Sequence, residues 1–349
     1  MKASALILNN IVKYFGDVRA LNGLSLELQQ GELLALLGPS GCGKTTALHI
    51  VAGLIEPDDG QLSLFGRTLA GVAPRDRDVA MVFQGGALYP HLTVAQNLAF
   101  PIQARGKSGR LAGQRMAERL GIDDLLDRYP SKISGGQAQR VALGRALIRK
   151  PKLFLLDEPL AGLDLPLREQ LRELIRQLVK DYGVTTICVT HDQSDALAIG
   201  DRVAVMREGR ITQIGTSREV YEKPKTEFVG RFIGARPLNF LPGIAGGGNV
   251  VGSWGRLPIQ GPGNDREVLC AFRPEHCRVI GAGQGIHGVV RQIDYRGHEV
   301  VVIVDLPGEV VVRFLMRVAD SAPAVGEAVG LSIEKENLLL FDASTGESI

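Results

Sequence analysis

Short apolar runs alternate with helix-like stretches over the first two thirds of the chain, from Ala5 to about Phe232. This alternation is typical of an α/β domain built on a largely parallel sheet. We predict the strands of that sheet at Leu33–Leu37, Val79–Phe83, Leu153–Leu156 and Thr185–Val189. Two further apolar runs, Val203–Met206 and Ile211–Ile214, flank a turn at Glu208-Gly209 and should form a hairpin at the end of the sheet.

The pattern changes after Arg231, where glycine-rich turns separate short runs of β-branched residues. Such a pattern indicates a small all-β, barrel-like module. We predict its strands at Val268–Phe272, Val289–Ile293, Val300–Val304, Val310–Phe314 and Leu331–Ile333. The fold class is therefore α/β over residues 1–234, followed by a C-terminal all-β domain over residues 235–349.

Composition narrows the possible partners of the chain. Its 349 residues are 45% hydrophobic, which is enough for two domains with cores of their own. The 40 basic and 38 acidic residues nearly cancel, so charge gives no indication of a nucleic acid or anionic membrane partner. The apolar runs are far shorter than the ~20 residues of a membrane span, and no secretory signal pattern opens the sequence. We therefore expect the chain to stay in the cytosol, with its four cysteines reduced.

A glycine-rich segment separates the predicted strand ending at Leu37 from a helical stretch. Its residues are Gly38, Pro39, Ser40, Gly41, Cys42, Gly43, Lys44, Thr45 and Thr46. This G-x-x-x-x-G-K-[ST] pattern between a strand and a helix is typical of phosphate-binding loops. Backbone N–H groups would bind the β-phosphate, Lys44 the β and γ oxygens, and the Thr45 hydroxyl Mg²⁺. Cys42 allows two interpretations, a thiolate favoured by Lys44 and the helix dipole, or a small buried filler.

Two carboxylates, Asp157 and Glu158, follow the apolar run Leu153–Leu156. The C-terminal end of a strand is where an open α/β sheet binds its ligands. We expect Asp157 to hold Mg²⁺ through water and Glu158 to accept a proton from the attacking water. A strand-end Asp-Glu before a proline can also be a helix cap, but the phosphate-binding loop upstream favours the catalytic interpretation.

The segment Ile133–Leu147 resembles the signature sequence of ATP-binding cassette (ABC) proteins. Ser134 and Gly136 precede a stretch of good helix formers, so they present a second helix N-terminus to an anion. In this family the anion is the γ-phosphate of an ATP bound by the opposite subunit. The resemblance implies that the contacts come from Ser134, Gly135, Gly136 and Gln137. It also implies a homodimer with ATP between the two copies, and it leaves open a heterodimer with a related ATPase.

Further positions resemble those that contact ATP in this family. Gln84 resembles the glutamine that ligates Mg²⁺ and orients water, and His191 resembles the switch histidine that contacts the γ-phosphate. Asp164 ends Ala161–Asp164, which resembles the loop that crosses the subunit interface. A lone glutamine or strand-end histidine can be purely structural, but the order of the surrounding motifs favours function. For stacking on the adenine, Phe15 before Gly16 is the first candidate and Tyr14 the second.

Other segments resemble the sugar and glycerol-phosphate importer ATPases typified by the maltose system. They are Arg75–Gln84, Ala87–Val94, Phe232–Gly234, Leu238–Leu241, Phe272–His276 and Asn337–Asp342. The β module resembles the oligonucleotide-binding (OB)-like domain that this subfamily uses for dimerisation and regulation. The chain departs from the pattern at Gly85-Gly86, where a serine and a bulky aromatic are more typical, and at Gln96, where glutamate is usual.

The resemblance implies an ATP- and Mg²⁺-dependent ATPase subunit that powers uptake of a sugar or glycerol phosphate. Importers of polyamine, ferric iron or an inorganic anion are the alternative. The expected partners are a second copy, a separate permease contacting Gln84–Thr93 and, indirectly, a periplasmic or extracellular solute-binding protein. The resemblance also implies a helical subdomain at about 85–150 and a peripheral location on the cytoplasmic face of the plasma membrane. Cassette proteins that act on nucleic acid contain two cassettes in one chain or one cassette split by a long coiled coil. This sequence has neither feature. A scaffold with a dead ATPase would lack Lys44, Glu158 or His191.

Overall fold

The computed structural model describes residues 4–260, 265–281, 283–318 and 322–349, and divides the chain into two compact units, Met1–Ser217 and Arg218–Ile349. The strands of the first unit are β1 (Ser4–Phe15), β2 (Val18–Gln29), β3 (Leu33–Leu37), β4 (Asp59–Leu64), β5 (Arg67–Thr68), β6 (Val79–Val82), β7 (Leu153–Asp157), β8 (Thr185–Thr190), β9 (Arg202–Arg207) and β10 (Arg210–Gly215). Its α-helices are α1 (Lys44–Ala52), α2 (Val94–Gln103), α3 (Arg110–Leu120), α4 (Gly135–Leu147), α5 (Leu165–Tyr182) and α6 (Gln193–Ile199).

A six-stranded sheet forms the centre of the first unit, in the order β10-β9-β3-β8-β7-β6. All neighbours are parallel except β10, which pairs antiparallel with β9 at the edge. Every residue of β3, β7 and β8 is buried, which explains why β3 and β7 are nearly continuous apolar runs. The four strands predicted from the sequence and the terminal hairpin are confirmed. Its turn has positive φ at both central residues, Glu208 and Gly209, as a tight hairpin requires.

A second, four-stranded antiparallel sheet lies in the same unit, in the order β2-β1-β4-β5. The sequence did not predict it. The pairing of β1 with β2 shifts register at four places, so the alternation of apolar and polar residues is broken along both strands. Leucines of this sheet share one hydrophobic core with the parallel sheet, which joins the two sheets in one folded unit.

The helices of the first unit follow from their caps and apolar spacing. In α5, the Asp164 side chain caps the first turn and Gly183 at φ 59 ends the last. Its buried residues recur at helical spacing, at Leu171, Ile175, Leu178 and Val179. Within the described residues, none of the helices is long and apolar enough to span a membrane.

The second unit is built from two five-stranded antiparallel sheets with a common core. Its elements are the helices α7 (Ser217–Glu222, with Ser217 at the boundary) and α8 (Glu227–Phe232), and the strands β11 (Asn239–Gly246), β12 (Asn249–Gly252), β13 (Gly255–Pro258), β14 (Arg266–Phe272), β15 (Cys277–Ile280), β16 (Ile286–Arg296), β17 (Glu299–Leu306), β18 (Val310–Arg317), β19 (Ala328–Ile333) and β20 (Leu339–Asp342). The sheet orders are β13-β12-β11-β14-β20 and β15-β19-β16-β17-β18. Both sheets contribute to one core, which contains Trp254, Phe272 and Phe314. The five predicted strands of the β module are confirmed.

The two ends of the second unit meet. The amide of Glu227 donates to the carbonyl of Gly346 at 2.7 Å, and the amide of Ser348 donates to the carbonyl of Lys225 at 2.9 Å. These main-chain bonds join the start of α8 to the last residues of the chain, so the first and last segments of the unit hold each other in place.

A buried arginine joins the helical first segment of the second unit to the β-sheets of the same unit. Arg273 follows β14, is 3% exposed, and donates to the carbonyl oxygens of Ile233 at 2.6 Å and Tyr221 at 2.8 Å. Its guanidinium also lies 4.0 Å from the centre of the Tyr221 ring. The hydroxyl of that tyrosine bonds to Glu275, and burial, followed by this carboxylate, raises the pKa of Tyr221 to about 12.

We predict that Arg273→Met destabilises the second unit, because two buried carbonyl groups lose their donor. The free energy of unfolding should fall by about 2–4 kcal/mol, measured by urea denaturation. Arg278→Met is the matched control. The Arg278 side chain is 77% exposed and its ion pair with Glu334 is 3.4 Å long, so its loss should change stability by under about 1 kcal/mol. Equal effects of the two substitutions would contradict the structural role of Arg273.

Candidate ATP-binding and hydrolysis site

The phosphate-binding loop predicted from the sequence lies between β3 and α1. Gly43 has φ 105, and a Cβ there would lie 2.5 Å from the carbonyl oxygen of Ala20 in β2, so only glycine fits. A side chain at Gly38 would meet the carbonyl group of Met206 in β9. The glycines at these two positions therefore let the loop pack directly against the backbone of both sheets.

The loop leads into a helix N-terminus suited to an anion. In the described part of the chain no side chain caps α1, whose first residue is Lys44. The Lys44 ammonium group is buried and donates to the carbonyl oxygens of Gly38 at 2.8 Å and Pro39 at 2.9 Å. Amide groups, helix dipole and ammonium group together provide positive potential at one place, which fits a phosphate chain. Thr46 lies in the first turn of the same helix.

Of the two interpretations of Cys42, the structure favours the small buried filler. Its side chain is 6% exposed and its sulfur lies 3.8 Å from the Lys44 nitrogen. Burial raises the pKa of the Cys42 thiol above its usual value, because desolvation of a thiolate outweighs the opposing effect of Lys44. Lys44 favours the thiolate, as expected from the sequence, but burial outweighs it, so the expectation of a thiolate at Cys42 is wrong and the buried-filler interpretation is favoured.

Oxygen atoms suited to Mg²⁺ lie beside the loop. The Thr45 hydroxyl donates to Oδ1 of Asp157 at 3.3 Å. Burial raises the pKa of Asp157, and the Thr45 hydrogen bond partly offsets it, so a cation near this carboxylate would stabilise its ionised form. Among the described residues no group of three or more His, Cys, Asp and Glu side chains has a metal-binding arrangement. The Asp157 carboxylate, the Thr45 hydroxyl and the Gln84 amide fit Mg²⁺, which usually takes its remaining ligands from water and phosphate.

Three side chains meet just beyond the C-terminal ends of three neighbouring parallel strands. Glu158 lies one residue past β7, His191 one past β8, and Gln84 two past β6. Oε1 of Glu158 is 2.9 Å from Nδ1 of His191, and Oε2 accepts from Nε2 of Gln84 at 3.3 Å. The structure therefore brings together the three residues for which the sequence suggested catalytic roles.

The backbone of Glu158 is unusual. Its φ is 49, in the left-handed region that non-glycine residues rarely adopt, and its amide donates to the carbonyl of Val189 in β8 at 3.0 Å. Strained backbone of this kind is frequent at functional sites. Its position between Gln84 and His191 is consistent with a functional site.

Ser134, Gly135, Gly136 and Gln137 lie at the start of α4. The Ser134 hydroxyl accepts from the amide of Gln137 at 3.3 Å, and Oε1 of Gln137 accepts from the amide of Ser134 at 2.9 Å, a capping box. A Cβ at Gly136 would lie 2.5 Å from Leu167 of α5, whereas one at Gly135 would meet no atom within 4 Å. Within the described residues, no hydrogen bond joins this group to the phosphate-binding loop of the same chain.

The two adenine candidates stand next to each other at the β1–β2 turn. Phe15 is 47% exposed and pairs with Val18, and Tyr14 is 45% exposed and pairs with Arg19. The turn is close to the phosphate-binding loop, since β2 contacts that loop at Ala20. Both rings are available for stacking, so the choice between them remains a prediction.

Sequence reasoning missed Arg168, one turn into α5. Its guanidinium donates to Oδ2 of Asp192 at 2.8 Å and to the carbonyl of Leu163 at 3.4 Å. It therefore connects the loop that contains Asp164 with the residue after His191. The available signal was its place four residues after Asp164, which puts it on the helix face above the capped first turn.

The segment after Gln84 borders a cleft of about 680 Å³. Its lining includes Tyr89, Phe100, Arg105, Arg145 and Arg149. Gly85 and Gly86 both have positive φ, which glycine adopts without strain and the more typical residues would not. Gln96 makes a capping box with Thr93, so an amide replaces the usual carboxylate there without loss of the cap.

Comparison with known proteins agrees with this geometry. The family model described as "ABC transporter" matches residues 21–161, and the model described as "TOBE domain" matches residues 270–341. The trehalose/maltose import ATP-binding protein MalK of Thermococcus litoralis is 41% identical, with 97% of this chain and 98% of the relative covered.

Two further relatives have similar coverage. The sulfoquinovosyl glycerol transport ATP-binding protein SmoE of Agrobacterium fabrum is 39% identical over 98% of both chains. The sn-glycerol-3-phosphate import ATP-binding protein UgpC of Chromohalobacter salexigens is 41% identical over 95% of this chain and 92% of the relative. With its phosphate-binding loop, strand-end carboxylates and C-terminal β-sheets, the chain belongs to the ABC transporter family, as an ATP-binding and ATP-hydrolysing subunit with a C-terminal TOBE domain.

Proposed function

We propose that this chain powers the uptake of a sugar or a glycerol phosphate, by hydrolysing ATP between two copies of itself. The observation that carries the proposed hydrolysis is the cluster of Glu158, His191 and Gln84 at the strand ends. Glu158 follows Asp157, which contacts Thr45 of the phosphate-binding loop. A carboxylate held between a histidine and an amide, beside a phosphate-binding loop, is suited to activate water against a γ-phosphate.

In this mechanism each step of ATP binding and hydrolysis is assigned to particular residues of the chain. Lys44 and the N–H groups at the start of α1 bind the phosphates, and Glu158 accepts the proton of the attacking water through its carboxylate. His191 orients that carboxylate and contacts the γ-phosphate, and Gln84 orients the water. Thr45, Asp157 and Gln84 would hold Mg²⁺, which supplies neutralisation of phosphate charge when bound.

The second half of each site would come from a second copy. Ser134, Gly135, Gly136 and Gln137 form an anion-binding helix N-terminus, and their described contacts lie within α4 and with α5. Binding the phosphate of a facing subunit would use this end, with Asp164 at the same interface. One chain supplies both halves, so a homodimer forms two equal sites.

We assign the cleft beside residues 84–93 to a membrane permease subunit. The Tyr89 ring lies 4.7 Å from the Phe100 ring and 4.9 Å from the Arg145 guanidinium, so its wall is both aromatic and cationic. Such a surface suits an amphipathic helix with an acidic residue. The cleft would place the protein on the cytoplasmic face of the membrane, with a solute-binding protein on the other side of the permease.

The substrate class rests on the relatives, whose names refer to trehalose and maltose, sulfoquinovosyl glycerol and sn-glycerol-3-phosphate. We propose a carbohydrate or glycerol-phosphate substrate for this importer. Uptake of polyamine, ferric iron or an inorganic anion is the alternative.

Replacement of Glu158 by glutamine should retain ATP binding and stop hydrolysis, since the amide keeps the shape of the side chain but accepts no proton. Turnover should fall at least ~100-fold, about 2.7 kcal/mol of transition-state stabilisation. Glu208→Gln is the matched control, because Glu208 also has positive φ but lies in the exposed β9–β10 turn. Near-normal phosphate release by Glu158→Gln would exclude the catalytic role.

A mixed dimer tests whether sites are shared. Lys44→Ala removes the phosphate-binding charge, and Gly135→Asp places a carboxylate at the start of α4, where the structure has room for a side chain. Both homodimers should be inactive. In a mixed dimer the two defects fall in one shared site, so the other site is intact and traps ATP. Two empty sites in a correctly folded, paired mixed dimer would contradict sharing.

Blocking the cleft tests the permease surface. Ala104 is exposed and lines the cleft, whereas Ala70 is exposed and lies outside it. Ala104→Trp should prevent co-purification with the permease encoded beside this protein and leave the ATPase rate of the isolated subunit unchanged. Ala70→Trp should change neither the co-purification nor the rate. Normal assembly of Ala104→Trp would place the permease elsewhere.

The substrate class can be tested in the reconstituted wild-type complex. Stimulation of its ATPase rate by maltose, trehalose or sn-glycerol-3-phosphate, rather than by putrescine, ferric iron or sulfate, would support the proposed class.

A further inference from the structure

The histidine of the proposed site is poorly held by its surroundings. The His191 side chain is 60% exposed, and its described side-chain hydrogen bond is the one to Glu158 at 2.9 Å. An exposed side chain with one partner is positioned mainly by its backbone. The placement of His191 therefore depends on what fixes the residues on either side of it.

Asp192 fixes that backbone by three bonds. Its amide donates to the hydroxyl of Thr190 at 3.0 Å, its Oδ1 accepts from the amide of Asp195 at 3.1 Å and caps α6, and its Oδ2 accepts from Arg168 at 2.8 Å. The first two bonds are local to the turn. The third is the one that connects the turn to a different element, helix α5.

Arg168 also binds the loop that follows Glu158. Its second terminal nitrogen donates to the carbonyl of Leu163 at 3.4 Å, and the amide of Ala161 in that loop donates to the carbonyl of Glu158 at 3.2 Å. The planar guanidinium fork can bind two acceptors at once, which an ammonium group cannot do in the same geometry. Glu158 and His191 are thus linked twice, directly through their side chains and indirectly through Arg168.

We propose that Arg168 is a positioning residue of the ATPase site, which ties the Ala161–Asp164 loop to Asp192 and so holds His191 against Glu158. The inference rests on the proposed roles of those two residues in hydrolysis. In a shared site it has a further consequence, because the loop at the subunit interface and the histidine would move as one body. Arrival of the second copy at the loop would then adjust His191 directly.

Arg172 provides a matched control one turn further along α5. Its described ion pair is with Asp195 at 3.6 Å, a carboxylate that is 4% exposed, and not with the loop or with Asp192. Arg172→Met therefore removes a partly buried cation from the same helix face without breaking the double link. It should lower stability in urea and leave the turnover number of ATP hydrolysis nearly unchanged.

Arg168→Met should lower kcat about 10-fold with little change in the ATP concentration for half-saturation, because the phosphate-binding loop is intact. The kcat of Arg168→Lys should lie between those of the wild type and Arg168→Met, since lysine can pair with Asp192 without also binding Leu163. Asp192→Asn keeps an oxygen for the α6 cap and weakens the same link. The double variant Arg168→Met/Asp192→Asn should then be no slower than the slower single variant.

The inference would be overturned if the fold-decrease in kcat of the double variant equalled the product of the two single-variant decreases. It would also be overturned if Arg172→Met lowered kcat as much as Arg168→Met does. A His191→Ala variant separates it from the proposed function. Normal turnover in His191→Ala would overturn both, whereas normal turnover in Arg168→Met beside an inactive His191→Ala would overturn the role of Arg168 alone.

Discussion

The arrangement of the site depends on one backbone hydrogen bond, from the amide of Glu158 to the carbonyl of Val189 at 3.0 Å. At φ 49, Glu158 is in a conformation that costs a non-glycine residue about 1 kcal/mol or more. The bond fastens the turn after β7 to β8, and the carboxylate then lies across the ends of β6, β7 and β8. Gln84 and His191 can meet it there because parallel strands all end at the same edge of their sheet.

The parts of the fold and site that could be predicted from the sequence are those encoded by neighbouring residues. Gly38–Thr45 specifies its turn and helix start, and Asp157-Glu158 stands at the C-terminal end of a wholly buried strand. Gln84 and His191 have no such local pattern, because each is a single side chain after a strand. Their interpretation needed the family resemblance, and the structure brings both within hydrogen-bonding distance of Glu158.

What could not be predicted depends on distance in the chain and on burial. The β1–β2 pairing is bulged, so its burial pattern is irregular. Arg168 binds Asp192 and Arg273 binds Ile233, partners that lie 24 and 40 residues away in the chain. Cys42 gives the plainest case. Its neighbour Lys44 favours a thiolate and its burial opposes one, and the sign of the net effect follows only once the exposure of the thiol is known.

The meeting of residues 225–227 with residues 346–348 bears on how such a protein can be assembled from parts. A folded unit whose first and last segments lie side by side can be inserted into a loop of another protein, because both connections leave the unit at the same place. The two described sheets of the unit share one hydrophobic core. A module of this kind can therefore be transferred whole, either to the end of another protein or into one of its loops.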